Sequence, residues 1–310
     1  MAQGERGRAA SPIRVALRRR ARWLHGDTAL AVLVLLPSII AVAIFIYGFI
    51  VWTGYISTVK WNSSIEDYTS VGLENWRTLF GMERFRWDLR NLVLYAAAFM
   101  SQCIVFGFVI AVLLNQKIKG EAIFRTIVIF PFAVSGVVTG VAWRWLMQPT
   151  TGINLILQRI GFTDFDFQWN ADPTLGILAI SLAAGWQFTG YIMALYLAGL
   201  RGISDEVREA ALVDGASTYR LYRHIIIPLL MPVTFTAVVL TGMGSIRVFD
   251  LVMILAGPAF STDTLAFHMY QATFGQYRWS LGATLGFLMI FLSLFLVVPY
   301  MRSMRGEVER

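Results

Sequence analysis

The sequence predicts an all-α integral membrane protein with six transmembrane helices and both termini in the cytoplasm. Three observations carry this. The chain is 57% hydrophobic and only 15% charged, where soluble domains carry about 25% charged residues, and its mean hydropathy is +0.62. Six segments, roughly 29–52, 91–114, 123–147, 174–198, 229–256 and 281–301, reach the length of about 20 apolar residues that a bilayer requires. Finally, the basic residues fall in alternate loops, which sorts them to one side of a membrane.

Taken in order, Arg6, Arg8, Arg14, Arg18, Arg19, Arg20 and Arg22 precede the first span and place residues 1–28 inside as a basic tail. Ala41-Val42-Ala43 has the form of a cleavage site, but the apolar run continues to Trp52, too far for a secretory leader. A retained signal-anchor helix is expected. Residues 53–90 are amphipathic, with Trp61, Trp76, Trp87 and Tyr68 at the headgroup level and a surface helix near Glu74–Gly81. Lys117, Lys119 and Arg125 flank the next inner loop; Arg201, Arg208, Arg220 and Arg223 occupy the one after the fourth span; Arg302 and Arg305 follow the sixth. Asp164, Asp166 and Asp172 lie in an outer loop. Residues 29–301 thus form one transmembrane domain, residues 302–310 a short inner tail, and no repeat or linker interrupts them.

The composition also excludes functions. The net charge of +7 is topological, so nucleic acid is not an expected partner; the lipid bilayer is. None of the three lysines (Lys60, Lys117, Lys119) follows a glycine, so the Gly-Lys-Ser/Thr of a phosphate-cradling loop is absent. Any ATP is bound by another chain. Cys103 is a lone cysteine in an apolar run, and His25, His224 and His268 lack ligand spacing, which argues against a metal site.

The loop of residues 202–228 is the most informative stretch. Ser204 can cap a helix whose first turn holds Asp205 and Glu206, both favourable against the helix dipole. Val207, Ala210, Ala211 and Asp214 recur at helical spacing and give one small, shallow face; Gly215 supplies the left-handed turn that ends the helix. Ser217 can cap a second short helix, and Pro228 suits the first turn of the following membrane helix. This is the layout of a docking surface, although an interfacial loop with space-filling alanines would read similarly.

Glu209-Ala210-Ala211, then Gly215, then Ile225-x-x-Pro228 resembles the coupling loop of permeases in binding-protein-dependent ABC importers, with Ile227 where leucine is usual. Gly72-Leu73-Glu74-Asn75-Trp76, the stretch from Trp143-Arg144-Trp145-Leu146 to Asn154, and Phe249-Asp250 ahead of Gly257-Pro258 resemble the sugar-importing branch, with Ala256 in place of a usual glycine. Tyr47–Thr53 and Val298-Pro299-Tyr300 look closest to glucose/mannose permeases. The resemblance implies a type I importer permease that catalyses no reaction and binds no cofactor. ATP and magnesium would sit on two partner ATP-binding subunits. A second, homologous permease and an extracytoplasmic sugar-binding protein complete the implied assembly, in a bacterial or archaeal cytoplasmic membrane. Glu209, Ala210, Ala211, Asp214, Gly215, Ile225 and Pro228 would transmit motion from the motor.

For the substrate pathway, Trp186, Gln187 and Tyr191 in the fourth span combine aromatic faces with a hydrogen-bonding amide, the chemistry that binds sugars. Gly185 and Gly190 would admit a close neighbour. Arg247 and Asp250 in the fifth span, three residues apart, are expected to share a helix face, paired with each other or lining a pathway. Thr241, Gly242, Gly244 and Ser245 suit close helix packing. An importer of a non-sugar solute is the alternative within this class. An ion-coupled secondary transporter would need buried carboxylates or broken helices at mid-membrane, and Asp250 is the one candidate carboxylate.

Overall fold

The computed structural model describes residues 30–116, 118–169, 172, 174–256 and 259–308. The basic N-terminal tail, Lys117, Gly257 and Pro258 lie outside them. The chain divides into two units, residues 1–53 and 54–310. In the first, helix α1 (Leu30–Ile56) begins and contains a π-helical segment, Ala43–Gly48.

The second unit is helical, its described residues containing only one isolated β-bridge, Val59 to Ser70. Its helices are α2 (Glu74–Gly81), α3 (Glu83–Leu114), α4 (Glu121–Ala133), α5 (Gly136–Leu146), α6 (Ile153–Arg159), α7 (Gly176–Arg201), α8 (Asp205–Val213), α9 (Thr218–Leu229), α10 (Met231–Ile246), α11 (Asp250–Leu255), α12 (Leu265–Tyr270) and α13 (Trp279–Val308). The surface helix expected near Glu74–Gly81 is α2. Among the described residues four helices are long and apolar enough to cross a membrane, or six if each bent pair counts as one span.

Those bent pairs differ from the continuous spans the sequence suggested. Helices α4 and α5 meet at 99°, and α9 and α10 at 64°. The first break follows Pro131, which removes a helical N–H. Ser135 restarts the chain, its hydroxyl accepting from Val138 N at 3.3 Å. The second break falls at Leu230, between Pro228 and Pro232. A π-turn over Tyr222–Ile226 precedes Pro228, and it is Pro232, four residues later than expected, that opens the membrane helix. Beside this break Tyr196 OH donates to Thr234 Oγ1 at 3.1 Å, and the Thr234 hydroxyl donates to Leu230 O, which also accepts from Thr234 N.

Helix α7 is the centre of the bundle: 61% of its most apolar window is buried, against 28% for α3 and 22% for α13. It can hold that position because it is apolar all round and because glycine lets neighbours close in. A Cβ at Gly190 would lie 2.0 Å from Val128 O of α4, and one at Gly107 of α3 would lie 2.9 Å from Ile192. The neighbour admitted at Gly190 is therefore helix backbone. Thr241 and Ser245 are buried and bond to their own helix, which places these small residues inside the chain's own packing.

Candidate functional site

In residues 202–228, Ser204 occupies the cap position of α8 with extended backbone, but its side chain makes no capping bond, contrary to expectation. Asp205 and Glu206 stand in the first turn as anticipated. Gly215 adopts φ +75°; its N–H bonds Leu212 O and the Ala216 N–H bonds Ala211 O, each at 3.0 Å. This is a complete left-handed helix stop. Ser217 does cap α9, accepting from Arg220 N.

Not all of the expected shallow face points outward. Ala211 is buried, whereas Glu209, Ala210 and Asp214 are exposed. Ile225 is half-buried, and Pro228 is exposed. The most exposed large apolar residues of the loop are Val213, Tyr219 and Leu212, at 87%, 69% and 58%, with Val207 and Ile227 exposed to a lesser degree. Ala211, Leu221 and Ile226 anchor the loop in the main core. Arg208, noted in the sequence only for its charge, bonds Leu200 O at 2.9 Å across the turn from α7. Its role needs an acceptor eight residues away, which no local pattern displays.

The candidate pathway residues on α7 divide. Trp186 is exposed and meets Trp143 edge to face at 6.1 Å. With Gln102, Phe106, Ile127 and Pro131 these rings line a cleft of about 450 Å³. The Gln102 amide donates to Ser181 O of α7. Gln187 turns elsewhere: its amide donates to Val134 O at 2.7 Å, which satisfies the carbonyl freed at the 99° bend. Tyr191 stacks on Phe132 with centroids 4.8 Å apart.

Arg247 and Asp250 do not share a helix face. Helix α10 ends at Ile246 and α11 begins at Asp250, so the two fall either side of a third interruption. Both are exposed, and no ion pair joins them among the described residues. A Cβ added at Gly136, the first residue of α5, would lie 3.0 Å from Asp250, so this carboxylate faces that helix start, where the dipole favours it.

The buried carboxylates are others. Arg84, Asp88 and Asn91 lie along one face of the first turns of α3 and meet residues 259–271. Arg84 Nε pairs with Asp263 Oδ2 at 2.6 Å, and its Nη2 reaches Gln271 Oε1 at 2.5 Å. Asp88 Oδ2 lies 2.5 Å from His268 Nδ1, both nearly inaccessible. Asn91 donates to Phe260 O and Asp263 O, each at 2.9 Å. The helical spacing of Arg84, Asp88 and Asn91 is visible in sequence; their partners some 170 to 190 residues away are not. No cluster of three metal-ligating side chains occurs among the described residues.

Membrane-length helices, two bent pairs and a structured polar loop are the architecture of an integral membrane protein. The chain belongs to the family described as the binding-protein-dependent transport system inner membrane component, which it matches over residues 103–305. It is 38% identical over 285 residues to a probable ABC transporter permease of Pyrococcus horikoshii, covering 91% of this chain and 98% of that one. It is 32% identical to the xylose/arabinose import permease XacH of Haloferax volcanii, over 84% of each. A bacterial alginate ABC transporter, solved with an alginate pentasaccharide-bound periplasmic protein, shares the fold: TM-score 0.76 at 22% identity, over 89% of this chain and 93% of that one.

Proposed function

We propose that this chain is a permease subunit of an ATP-driven sugar importer. It forms half of a translocation pathway, crosses the membrane six times with each bent pair as one span, and has both termini inside. Residues 202–228 are the coupling loop. The observation that carries this reading is the capped helix–glycine–helix itself, with Leu212, Val213 and Tyr219 turned outward in a chain of this family. Single exposed apolar residues are ordinary; several on one short helix–glycine–helix that also exposes Glu209 and Asp214 suit a docking face. ATP and magnesium are held by two partner ATP-binding subunits, and a second permease and an extracytoplasmic binding protein complete the assembly. Closure of the ATP-binding subunits moves the loop, and the loop moves the bundle between inward and outward access.

The xylose/arabinose named for the Haloferax relative supports a carbohydrate cargo; that the sugar is glucose, mannose or a related mono- or oligosaccharide rests on the resemblance of Tyr47–Thr53 and Val298-Pro299-Tyr300 alone. The cleft at Trp143 and Trp186 offers the aromatic faces and amide that such a ligand requires. The test is mild-detergent affinity purification of the chain from native membranes, followed by mass spectrometry and sugar-stimulated ATPase assays. Recovery of an ATPase subunit and a second permease, with hydrolysis raised by sugar and binding protein, is the expected result. A chain recovered alone and active in uptake would point to an ion gradient instead.

A further inference from the structure

The end of α3 is capped by Asn115 and the end of α7 by Gly202. At both ends the last carbonyls lack helical partners and carry the negative pole of the helix dipole. Arg208 of α8 lies across these two ends. Its Nη2 donates to Leu200 O at 2.9 Å. With the amide oxygen of Asn115 turned toward the guanidinium, Asn115 accepts from Nη1 and Nη2, both at 3.1 Å. Nε is buried and without a partner, and no carboxylate pairs with the guanidinium among the described residues. The guanidinium is therefore met by a last-turn carbonyl of α7 and by the side-chain amide of the residue that ends α3, a fork geometry that arginine fills and lysine cannot.

The neighbouring contacts give this arrangement a consequence. The covalent link from α7 to α8 is residues 202–204, and besides it α8 is held to the bundle by the burial of Ala211 and by the hydrogen bonds of Arg208. Helix α7 is the buried centre of the bundle, and some 20 Å along it, at a rise of about 1.5 Å per residue, Gln187 holds the bend between α4 and α5 through Val134 O. We infer that Arg208 is the positioning residue that clamps the coupling helix to the ends of α3 and α7, so that a push on the loop turns α7 rather than bending residues 202–204. The inference rests on the coupling role proposed above for residues 202–228.

The test is sugar moved per ATP hydrolysed by the complete importer in proteoliposomes. For Arg208→Ala this ratio should fall about fivefold, within the range for residues along a coupling path, while the complex still assembles and still hydrolyses ATP. Arg208→Lys, which keeps one donor but loses the fork, should fall between. Asn115→Ala removes the other half of the clamp without touching α8; it should lower the ratio about twofold, and adding it to Arg208→Ala should lower the ratio no further. If Arg208→Ala fails to assemble, the Asn115→Ala ratio decides alone. An unchanged ratio in an assembled Arg208→Ala importer, or additive losses in the double variant, would overturn the clamp and leave the importer reading standing. A wild-type chain that recruits no ATPase would remove both.

Discussion

Residues 202–228 leave Val213 87% exposed and Tyr219 69% exposed, whereas residues 259–271 hold Asp263 at 4% and His268 at 2%. Both segments connect long helices and both are rich in polar groups. The first forms its turn from within, by a left-handed stop at Gly215 and a serine cap at Ser217, and reaches the bundle by the hydrogen bonds of Arg208. The second spends its hydrogen bonds on α3, through Arg84, Asp88 and Asn91. A loop ordered from within keeps its outer face free for a partner. A loop ordered by cross-links to a distant helix becomes part of the packed interior, and its charges are tolerated because each has a neighbour.

The comparison can be broken at several points. The largest effect is expected at Gly215. Proline cannot adopt φ +75°, so Gly215→Pro should abolish uptake while leaving the transmembrane fold intact, and Glu209→Lys should do the same from the exposed side. Normal uptake by either correctly inserted variant would remove the docking assignment. Next is the buried pair: Asp88→Ala strands His268 in a closed site and should lower stability by about 3 kcal/mol, read from thermal unfolding in detergent. Gln187→Leu leaves Val134 O unpaired and should cost about 1 kcal/mol in the same measurement. An unaltered transition would mean that the bend does not need its cross-helix donor. Smallest is Val213→Ser, which should change stability by less than about 0.5 kcal/mol yet reduce the ATPase subunit retained in pull-downs. A large stability loss there would show Val213 to be packed rather than presented.

The loop was legible in sequence because its devices are local. A cap, an alanine run, a glycine and a proline act within a few residues of one another, and α8 and α9 stand where that spelling put them. Even so, Ser204 makes no side-chain cap, Ala211 faces inward, and the membrane helix restarts at Pro232 rather than Pro228. These outcomes depend on what the loop packs against. The pathway residues were less legible. Trp186 and Trp143 do share a cleft, but Gln187 is consumed by a bend that hydropathy does not register, since an apolar run reads alike straight or broken. Asp250 stood out as a carboxylate near an apolar run, whereas Asp88 and Asp263, in stretches that read as outer loops, are the buried ones.

What the sequence by itself determined is the membrane class, the positions of the apolar helices and the helix–glycine–helix of residues 202–228. Each follows from hydropathy over about 20 residues or from backbone preferences within one turn. Tertiary structure alone decided where two spans bend, which carboxylates are buried, and which arginine fastens the loop. Those outcomes turn on hydrogen bonds between residues that are far apart in the chain but adjacent in the fold. In a low-dielectric interior a buried polar group left unpaired is costly, and only the packed bundle fixes which partner it finds.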